Sequence, residues 1–301
     1  MVKKSLIICA AFVAISCVYS FPQPNSPENI NRLNNLGAND LAEELSGQFE
    51  GDMVLSPEEI DELLSERGGR TGLIDERFRW TDNIVPYYVN RSHFTTVQYN
   101  YITLGVQKIM DATCIKLVPY DVNVHTNYVY ITGENSGCWS FVGMRGNRQQ
   151  LNLQPFDPEV GCFRLYTIVH EFIHALGFYH MQSATERDHY VRIIWENIQS
   201  GTEGNFNKYE ADRISQYGVE YDYGSVMHYS ATAFSINGED TIVPTRDLQG
   251  ETMGQRLRMS DKDIARLNNK YCPASRERIT VSQLFKRINK AMNNLFSTIF
   301  N

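Results

Sequence analysis

Three histidines and one glutamate lie in a stretch that otherwise has the composition of a buried helix. The stretch covers residues 170–180 and reads HEFIHALGFYH. His170 and His174 are four residues apart, so on a helix their side chains lie on one face, one turn apart. Two imidazole nitrogens placed in this way can bind one metal ion at about 2.0–2.1 Å. The spacing therefore predicts a metal site built on a helix.

The other residues of this stretch predict that the metal site is catalytic. Gly177 can adopt a positive φ and end the helix, so that the chain turns and brings His180 to the same ion. Three protein ligands with a fourth position left open are typical of catalytic zinc, whereas structural zinc sites are closed. Glu171 lies about 100° around the helix from His170. That direction suits a general base that takes a proton from water at the metal.

A second motif, GSVMHYS at 224–230, follows the histidine run. A HExxHxxGxxH run followed by a methionine turn is the signature of the metzincin proteases. Met227 is predicted to form an apolar floor beneath the histidines. Tyr229 is expected to bring its phenol to the metal or to the oxyanion of the tetrahedral intermediate. Together the two motifs predict a zinc-dependent hydrolase.

The segments around these motifs predict an α+β domain in two lobes. Five strand-like stretches precede the histidine helix, namely IVPYYV at 84–89, IKLVPY at 115–120, YVYITG at 128–133, CWSFVGMRG at 138–146 and QQLNLQ at 149–154. A helix is predicted over 94–111, where apolar residues recur at roughly helical spacing, at Val97, Tyr101, Leu104 and Ile109. After the histidine helix the chain is mostly loop, with short helices predicted near 194–200 and 261–271.

Composition and the N-terminus indicate where the protein acts. The 301 residues carry a net charge of −7 and no long basic run before the C-terminus, so we expect no nucleic-acid partner. Lys3 and Lys4 precede the apolar run LIICAAFVAISCV, and small residues follow it. This pattern predicts a secretory signal peptide over 1–20 and a mature protein outside the cell.

Covalent modifications are expected in such a compartment. Four cysteines remain after the signal peptide, at positions 114, 138, 162 and 272. An even number of cysteines in a secreted chain predicts two disulfides, and their spacing leaves three pairings open. Asn90 begins the acceptor motif NRS for N-linked glycosylation.

Two flanking segments differ from the central domain. Residues 21–70 are polar, and only SPEEIDELL predicts a helix, with Ser56 as N-cap and Glu59 completing a capping box. The rest of this segment is expected to be extended or loosely ordered. ERGGR supplies an exposed basic site before Thr71, which predicts a propeptide removed by a trypsin-like protease. Residues 274–301 predict an amphipathic tail that packs on the domain or contacts a membrane or a partner, with disorder as a third alternative.

The chain resembles the astacin family of zinc endopeptidases from about Phe49 to Cys272. The shared motifs are FEGD at 49–52, RW at 79–80, CWSFVG at 138–143, GCFRLYTIVHEFIHALGFYH at 161–180, ERDHYV at 186–191, SVMHY at 225–229 and TIVP at 241–244. The resemblance implies a two-lobed metzincin domain over 71–273. That domain would have a five-stranded sheet, an active-site helix above it and a mostly irregular C-terminal lobe.

The resemblance also implies the roles of individual residues. The zinc ligands would be His170, His174 and His180, with Glu171 as general base. Tyr229 would be an additional zinc ligand that swings away to bind the transition state. Cys114 would pair with Cys272, and Cys138 with Cys162. The second bridge would pin the strand to which a substrate backbone adds in the antiparallel direction.

Latency is implied by the same resemblance. Asp52 of FEGD would occupy the open zinc position until cleavage after Arg70 leaves Thr71 as the new N-terminus. Most astacins carry glutamate immediately after the third histidine, where it receives that terminus, and this chain has Met181 there. The usual ion pair therefore cannot form in that way.

The expected function is a secreted zinc endopeptidase, made as a zymogen, that hydrolyses proteins or peptides. A catalytically silent astacin-like binding protein is the alternative. A metal-dependent hydrolase of non-peptide esters or amides is a third reading of the same motifs.

Overall fold

The computed structural model describes residues 42–64 and 76–272. The helices are α1 (Pro57–Leu64), α2 (Thr96–Ala112), α3 (Leu165–Ala175) and α4 (Asp261–Tyr271). The strands are β1 (Met53–Val54), β2 (Ile84–Val89), β3 (Lys116–Pro119), β4 (Tyr128–Thr132), β5 (Cys138–Phe141), β6 (Arg148–Leu153), β7 (Val191–Ile193) and β8 (Ile242–Pro244). The predicted signal peptide, the Arg70–Thr71 junction and the C-terminal tail lie outside the described residues. Residues 42–64 are called the N-terminal segment below.

The predicted α+β class is confirmed, but the main sheet has six strands where five were predicted. Its order is β1-β5-β6-β4-β2-β3. Strands β2 to β6 are the five predicted ones, and β1 comes from the N-terminal segment. β1 pairs in parallel with β5, through Met53 opposite Ser140 and Val54 opposite Phe141. The additional strand forms because β5 is otherwise the edge of the sheet and offers unpaired backbone groups. β5 itself runs antiparallel to β6.

Helix α2 confirms the predicted helix, but its buried face shares only Ile109 with the predicted apolar positions. Thr95 caps its first turn, because its side chain accepts from the Gln98 backbone and the Gln98 side chain accepts in return. Val97 and Leu104, predicted as apolar face positions, are exposed, and the buried face is formed by Ile102, Gly105, Val106 and Ile109. Gly105 decides this orientation, since a Cβ there would lie 2.8 Å from a methyl group of Ile168 on α3. The two helices can approach this closely only through a glycine.

The core of the sheet half lies between the sheet and helices α2 and α3. Its centre is formed by side chains with no exposed surface, including Val85, Val129, Ile131 and Leu151 from the strands and Ile168, Val169 and Phe172 from α3. α3 has the all-round apolar composition of a helix that is buried on every side. Every residue from Thr167 to Ala175 is buried, which includes the histidines and the glutamate.

The N-terminal segment is folded onto the domain. The expectation of an extended or loosely ordered chain is wrong for residues 42–55, whereas the helix predicted after Ser56 is present as α1. The predicted capping box is present, because Ser56 N donates to Glu59 Oε2 at 2.8 Å and Glu59 N donates to Ser56 Oγ at 3.3 Å. Phe49, Met53 and Leu63 are buried in one cluster with Val142, Tyr209 and Ile214. Burial of these few apolar side chains stabilises the folded segment, although its overall composition is polar.

The second half of the domain is mostly irregular, as predicted. A two-stranded antiparallel sheet of β7 and β8 and short 3-10 turns are joined by loops. The helix predicted near 194–200 is only a 3-10 turn at Trp195–Asn197, whereas the helix predicted at 261–271 is present as α4. Across residues 42–64 and 76–272, no helix combines the length and the apolar character needed to cross a membrane.

Both disulfides implied by the resemblance are present. Cys114 bonds to Cys272, and Cys138 bonds to Cys162. The first bridge ties the end of α4 to the chain that enters β3. The second ties β5 to the 3-10 turn Gly161–Phe163, which leads into α3. Each bridge therefore holds an element next to the histidine helix.

Removing the Cys114–Cys272 bridge is expected to cost more stability than removing the other one. The sequence separations are 158 and 24 residues. A chain-entropy model then gives about 5 and about 3.5 kcal/mol, respectively. Calorimetry on the two double cysteine-to-serine variants tests this, with no free thiol left in either protein. A larger drop in the unfolding midpoint for the Cys138→Ser, Cys162→Ser variant would contradict the entropic account.

Candidate active site

Helix α3 and the turn after it place the three histidines around one point. The helix ends at Ala175 with Leu176 as its C-cap, and Gly177 then adopts φ +87°, a left-handed conformation that favours glycine. A Cβ at this position would also collide with Lys270 Nζ. The reversed chain brings His180 back toward the helix. The Nε2 atoms of the three imidazoles and the Asp52 carboxylate come together, so that the four donor atoms lie within 4.8 Å of one another.

The geometry of this cluster fits a tetrahedral metal ion. Four ligand atoms at about 2.0–2.1 Å from a central zinc lie roughly 3.3 Å from one another. The Asp52 carboxylate lies 3.0 Å from His170 Nε2, 3.3 Å from His174 Nε2 and 3.2 Å from His180 Nε2. Asp52 Oδ1 and His180 Nε2 are buried and have no hydrogen-bond partner among the described residues. A cation at the centre would satisfy these atoms.

Each histidine is held by a contact on its other ring nitrogen. Nδ1 of His170 lies 2.8 Å from the Val226 carbonyl, and Nδ1 of His174 lies 2.8 Å from the Phe178 carbonyl. A carbonyl oxygen can only accept, so both Nδ1 atoms carry the proton and Nε2 is left as a lone pair for a metal. Nδ1 of His180 lies 2.9 Å from the carboxylate of Glu50.

Glu171 lies on the same helix as His170 and His174. It is fully buried, and neither carboxylate oxygen has a hydrogen-bond partner among the residues that the structure describes. Burial raises the pKa of Glu171 well above its usual range, and the nearby carboxylates of Asp52 and Glu43 raise it further. A buried carboxyl with free oxygens next to a metal site has the chemistry of a general base.

The methionine turn contacts the histidine helix, because the Val226 carbonyl accepts from His170 Nδ1. Met227 is buried in the main core, and its carbonyl accepts from the backbone N–H of Met181 at 2.9 Å. The ring of Tyr229 lies 4.7 Å from the His180 ring, centroid to centroid. Its hydroxyl donates to the backbone carbonyl of Glu50 at 2.6 Å. Burial raises the pKa of Tyr229 well above its usual range, so the phenol remains a hydrogen-bond donor.

Asp52 reaches the histidines because the N-terminal segment crosses the site. Its backbone carbonyl accepts from Ser140 N of β5 at 2.9 Å, which fixes the position of Asp52 relative to the sheet. Although burial opposes its charge, the surrounding imidazoles hold the pKa of the Asp52 carboxyl well below its usual range. On the far side, Phe234 N donates to Glu44 Oε2 at 3.1 Å. The segment is therefore held on both sides of the cluster.

Two further carboxylates of this segment were missed by the sequence analysis. Glu50 contacts His180, Ser183 and the hydroxyl of Tyr209, and it is buried. Glu43 forms a two-point ion pair with Arg256, with contacts of 2.9 and 2.5 Å, and accepts from Thr167 Oγ1 at 2.9 Å. Glu50 lies within the FEGD motif, which was a usable signal. Glu43 and Arg256 are 213 residues apart and lie outside the motifs that the chain shares with the astacins.

Two other residues singled out in the sequence, Asn90 and Met181, contribute no atom to the cluster. Asn90 caps a 3-10 turn on the surface, where its Oδ1 accepts from Ser92 N at 3.3 Å and from Ser92 Oγ at 2.8 Å. Met181 is buried, and its sulfur accepts from Arg266 Nη2 at 3.4 Å. Most astacins have a glutamate at position 181. In this chain the Met181 thioether contacts the guanidinium of Arg266 instead.

Comparison with known proteins assigns the family. Residues 73–272 match the family model described as Astacin, a peptidase family. Zinc metalloproteinase nas-4 of Caenorhabditis elegans is 37% identical over 226 residues, which is 74% of this chain and 69% of that protein. Seminal metalloprotease 1 of Drosophila melanogaster is 36% identical, over 76% of this chain and 88% of that protein.

Longer relatives match over part of their length. Meprin A subunit beta of Homo sapiens is 40% identical over 75% of this chain, and the match spans 30% of that protein. Among solved structures, high choriolytic enzyme 1, a hatching enzyme zinc-protease of Oryzias latipes, is 34% identical with a TM-score of 0.57. That match covers 64% of this chain and 92% of the other. The chain belongs to the astacin family of zinc metalloendopeptidases.

Proposed function

We propose that this chain is a secreted zinc endopeptidase made as an inactive zymogen, with residues 21–70 as its propeptide. One observation carries the proposal. Three imidazoles from the domain and the carboxylate of Asp52 from the N-terminal segment converge on one buried point. The domain supplies three ligands, and the segment supplies a fourth that must leave before a substrate can approach.

The residues that would hold the zinc are His170, His174 and His180, and before cleavage also Asp52. When bound, the zinc lowers the pKa of a water molecule and polarises the carbonyl that is attacked. The Nδ1 contacts of His170 and His174 with backbone carbonyls keep their Nε2 lone pairs directed to one point. The chain thus fixes the ligands before any metal or substrate arrives.

The chain's own residues supply the remaining chemistry. Glu171 takes the proton of the attacking water and passes it to the leaving amine, because its oxygens are free and it lies beside the ligands. Tyr229 donates its hydroxyl to the developing oxyanion once Glu50, its present acceptor, has departed. Strand β5 offers its edge to the substrate backbone, which adds as a further strand.

Occupation of the cleft by the N-terminal segment supports latency. β1 already pairs with β5, so the substrate edge is taken. β1 runs parallel to β5, opposite to the direction expected of a substrate. Its peptide bonds are therefore reversed relative to Glu171 and the ligands. The carboxylates of Glu43 and Glu50 add ion-pair and hydrogen-bond contacts that hold the segment in place.

Treatment of the zymogen with a trypsin-like protease tests the proposal. We expect cleavage after Arg70, followed by hydrolysis of a peptide library that a zinc chelator abolishes and added zinc restores. Arg70→Gln is the matched control, since it removes the proposed site and leaves the domain unchanged. Library digestion analysed by mass spectrometry also reports the cleavage preference.

The alternative functions give different results in the same experiment. A processed protein that binds zinc but cleaves no peptide would favour the catalytically silent binding protein. Hydrolysis of small esters or amides without peptide cleavage would favour the third reading. Either result would overturn the proposed endopeptidase.

A further inference from the structure

The turn between the second and third histidines depends on the end of a distant helix. Helix α3 ends at Ala175, and the carbonyls of its last turn have no partner within the helix. Gly177 N and Gly143 N both donate to the His174 carbonyl, and Trp80 Nε1 donates to the Ala175 carbonyl at 2.8 Å. The next two carbonyls, of Leu176 and Gly177, receive donors from α4.

Those donors come from Lys270 and Tyr271 at the C-terminus of α4. Lys270 Nζ lies 2.8 Å from the Leu176 carbonyl and 3.1 Å from the Gly177 carbonyl. The Tyr271 hydroxyl donates to the same Leu176 carbonyl at 2.8 Å. Both side chains are buried. The next residue, Cys272, is covalently anchored by its disulfide, so this end of α4 cannot move away.

The position of the Lys270 ammonium is unusual for a buried charge. Within residues 42–64 and 76–272, no carboxylate lies within ion-pair distance of it. Instead the rings of Phe178, Tyr217 and Tyr271 lie at 4.8, 5.6 and 5.5 Å from Nζ. Burial lowers the pKa of this ammonium to about 7. The contacts that repay its desolvation are the two carbonyls, the aromatic faces and the negative end of the α3 dipole.

This arrangement bears directly on two of the histidines. Phe178 provides the carbonyl that holds Nδ1 of His174, and His180 follows two residues later. Gly177 approaches Lys270 so closely that any side chain there would displace the ammonium. A shift of the 176–178 turn would therefore misdirect His174 Nε2 and move His180 away from the cluster.

We propose that Lys270 and Tyr271 are positioning residues that clamp the 176–178 turn and thereby set the zinc affinity of the site. The inference rests on the proposed zinc ligands His174 and His180. The clamp belongs wholly to the domain after residue 76, so it persists when the N-terminal segment is removed. Mutation of residues that orient metal ligands in this way typically lowers metal affinity or activity by about 10–100-fold.

The test measures zinc loss from the full-length protein to a colorimetric chelator, well below its unfolding temperature. Lys270→Met keeps the length of the side chain and removes the donors, and we expect zinc loss about 10-fold faster than in the wild type. After activation, kcat should fall at an unchanged KM, because the substrate cleft is not altered. Lys262→Met is the matched control, since Lys262 on the same helix also donates to a carbonyl, that of Tyr221, but is only partly buried.

A second variant covers the case in which Lys270→Met does not accumulate as a folded protein. Tyr271→Phe removes one hydroxyl from the Leu176 carbonyl and leaves the packing intact, and faster zinc loss in the same direction is expected. If folded Lys270→Met loses zinc at the wild-type rate, the proposed clamp is wrong. If only Tyr271→Phe folds, zinc loss at the wild-type rate in that variant has the same meaning. A wild-type protein that holds no zinc would instead contradict the proposed function itself.

Discussion

Glu171→Gln is expected to lose at least about 100-fold in peptide hydrolysis while keeping its zinc, since general-base catalysis contributes about 10²–10⁴-fold. Glutamine has nearly the same shape and can still hydrogen-bond, but it cannot take a proton from water. The proposed ligands His170 and His174 lie on the same helix and are held by their own Nδ1 contacts, so the metal site should remain intact. Initial rates and zinc content by atomic absorption measure the two quantities on one sample.

Glu196→Gln is the matched control for this substitution. Glu196 is exposed in the irregular half of the domain. It should leave rate and zinc content unchanged. Turnover near the wild-type rate in Glu171→Gln, with one zinc bound, would show that another group accepts the proton.

Asp52→Ala is expected to release activity from the uncleaved zymogen. The substitution removes the carboxylate that lies within 3.3 Å of all three imidazoles and leaves the fourth ligand position open. Hydrogen bonds to charged groups contribute about 1.5–3 kcal/mol each, and about 1.4 kcal/mol is tenfold in an equilibrium. We therefore expect at least about tenfold more activity than the wild-type zymogen before any cleavage at Arg70.

The remaining contacts of the N-terminal segment should limit the activity of the uncleaved Asp52→Ala zymogen. Adding Glu43→Gln to Asp52→Ala removes the two-point pair with Arg256 and should raise the activity further. Asp61→Ala, at an exposed position of α1 in the same segment, is the control and should stay latent. A fully silent Asp52→Ala, Glu43→Gln zymogen would mean that the segment blocks the cleft by bulk alone.

Local physics made several elements predictable from sequence. The i, i+4 spacing of His170 and His174 and the glycine three residues later follow from helix geometry, so a single segment carries the signal. The capping box of Ser56 and Glu59 is likewise a property of four consecutive residues. Spacing left three disulfide pairings open, and only the family resemblance chose between them. The structure contains the pairing that the resemblance implied.

Other features depended on which surfaces meet in three dimensions. The apolar positions predicted for α2 included Val97 and Leu104, which are exposed, and the close approach of Gly105 to Ile168 decided which face is buried. The sixth strand required an open β5 edge, and the burial of residues 42–64 required the cluster around Val142 and Tyr209. Neither is visible in the polar composition of residues 21–70.

The sequence by itself determined the type of chemistry. The proposed metal ligands, the proposed base and the methionine turn lie in two short segments, and one helix and one turn set the spacing of the histidines. Only the tertiary structure decided how the site is held and closed. Three contacts join residues that are 94 to 213 positions apart in the chain. They are the Glu43–Arg256 ion pair, the contact of Glu50 with His180 and the hydrogen bond from Lys270 to the Leu176 carbonyl. Such contacts carry no local pattern, since their partners meet only after the sheet, the helices and the disulfides have formed.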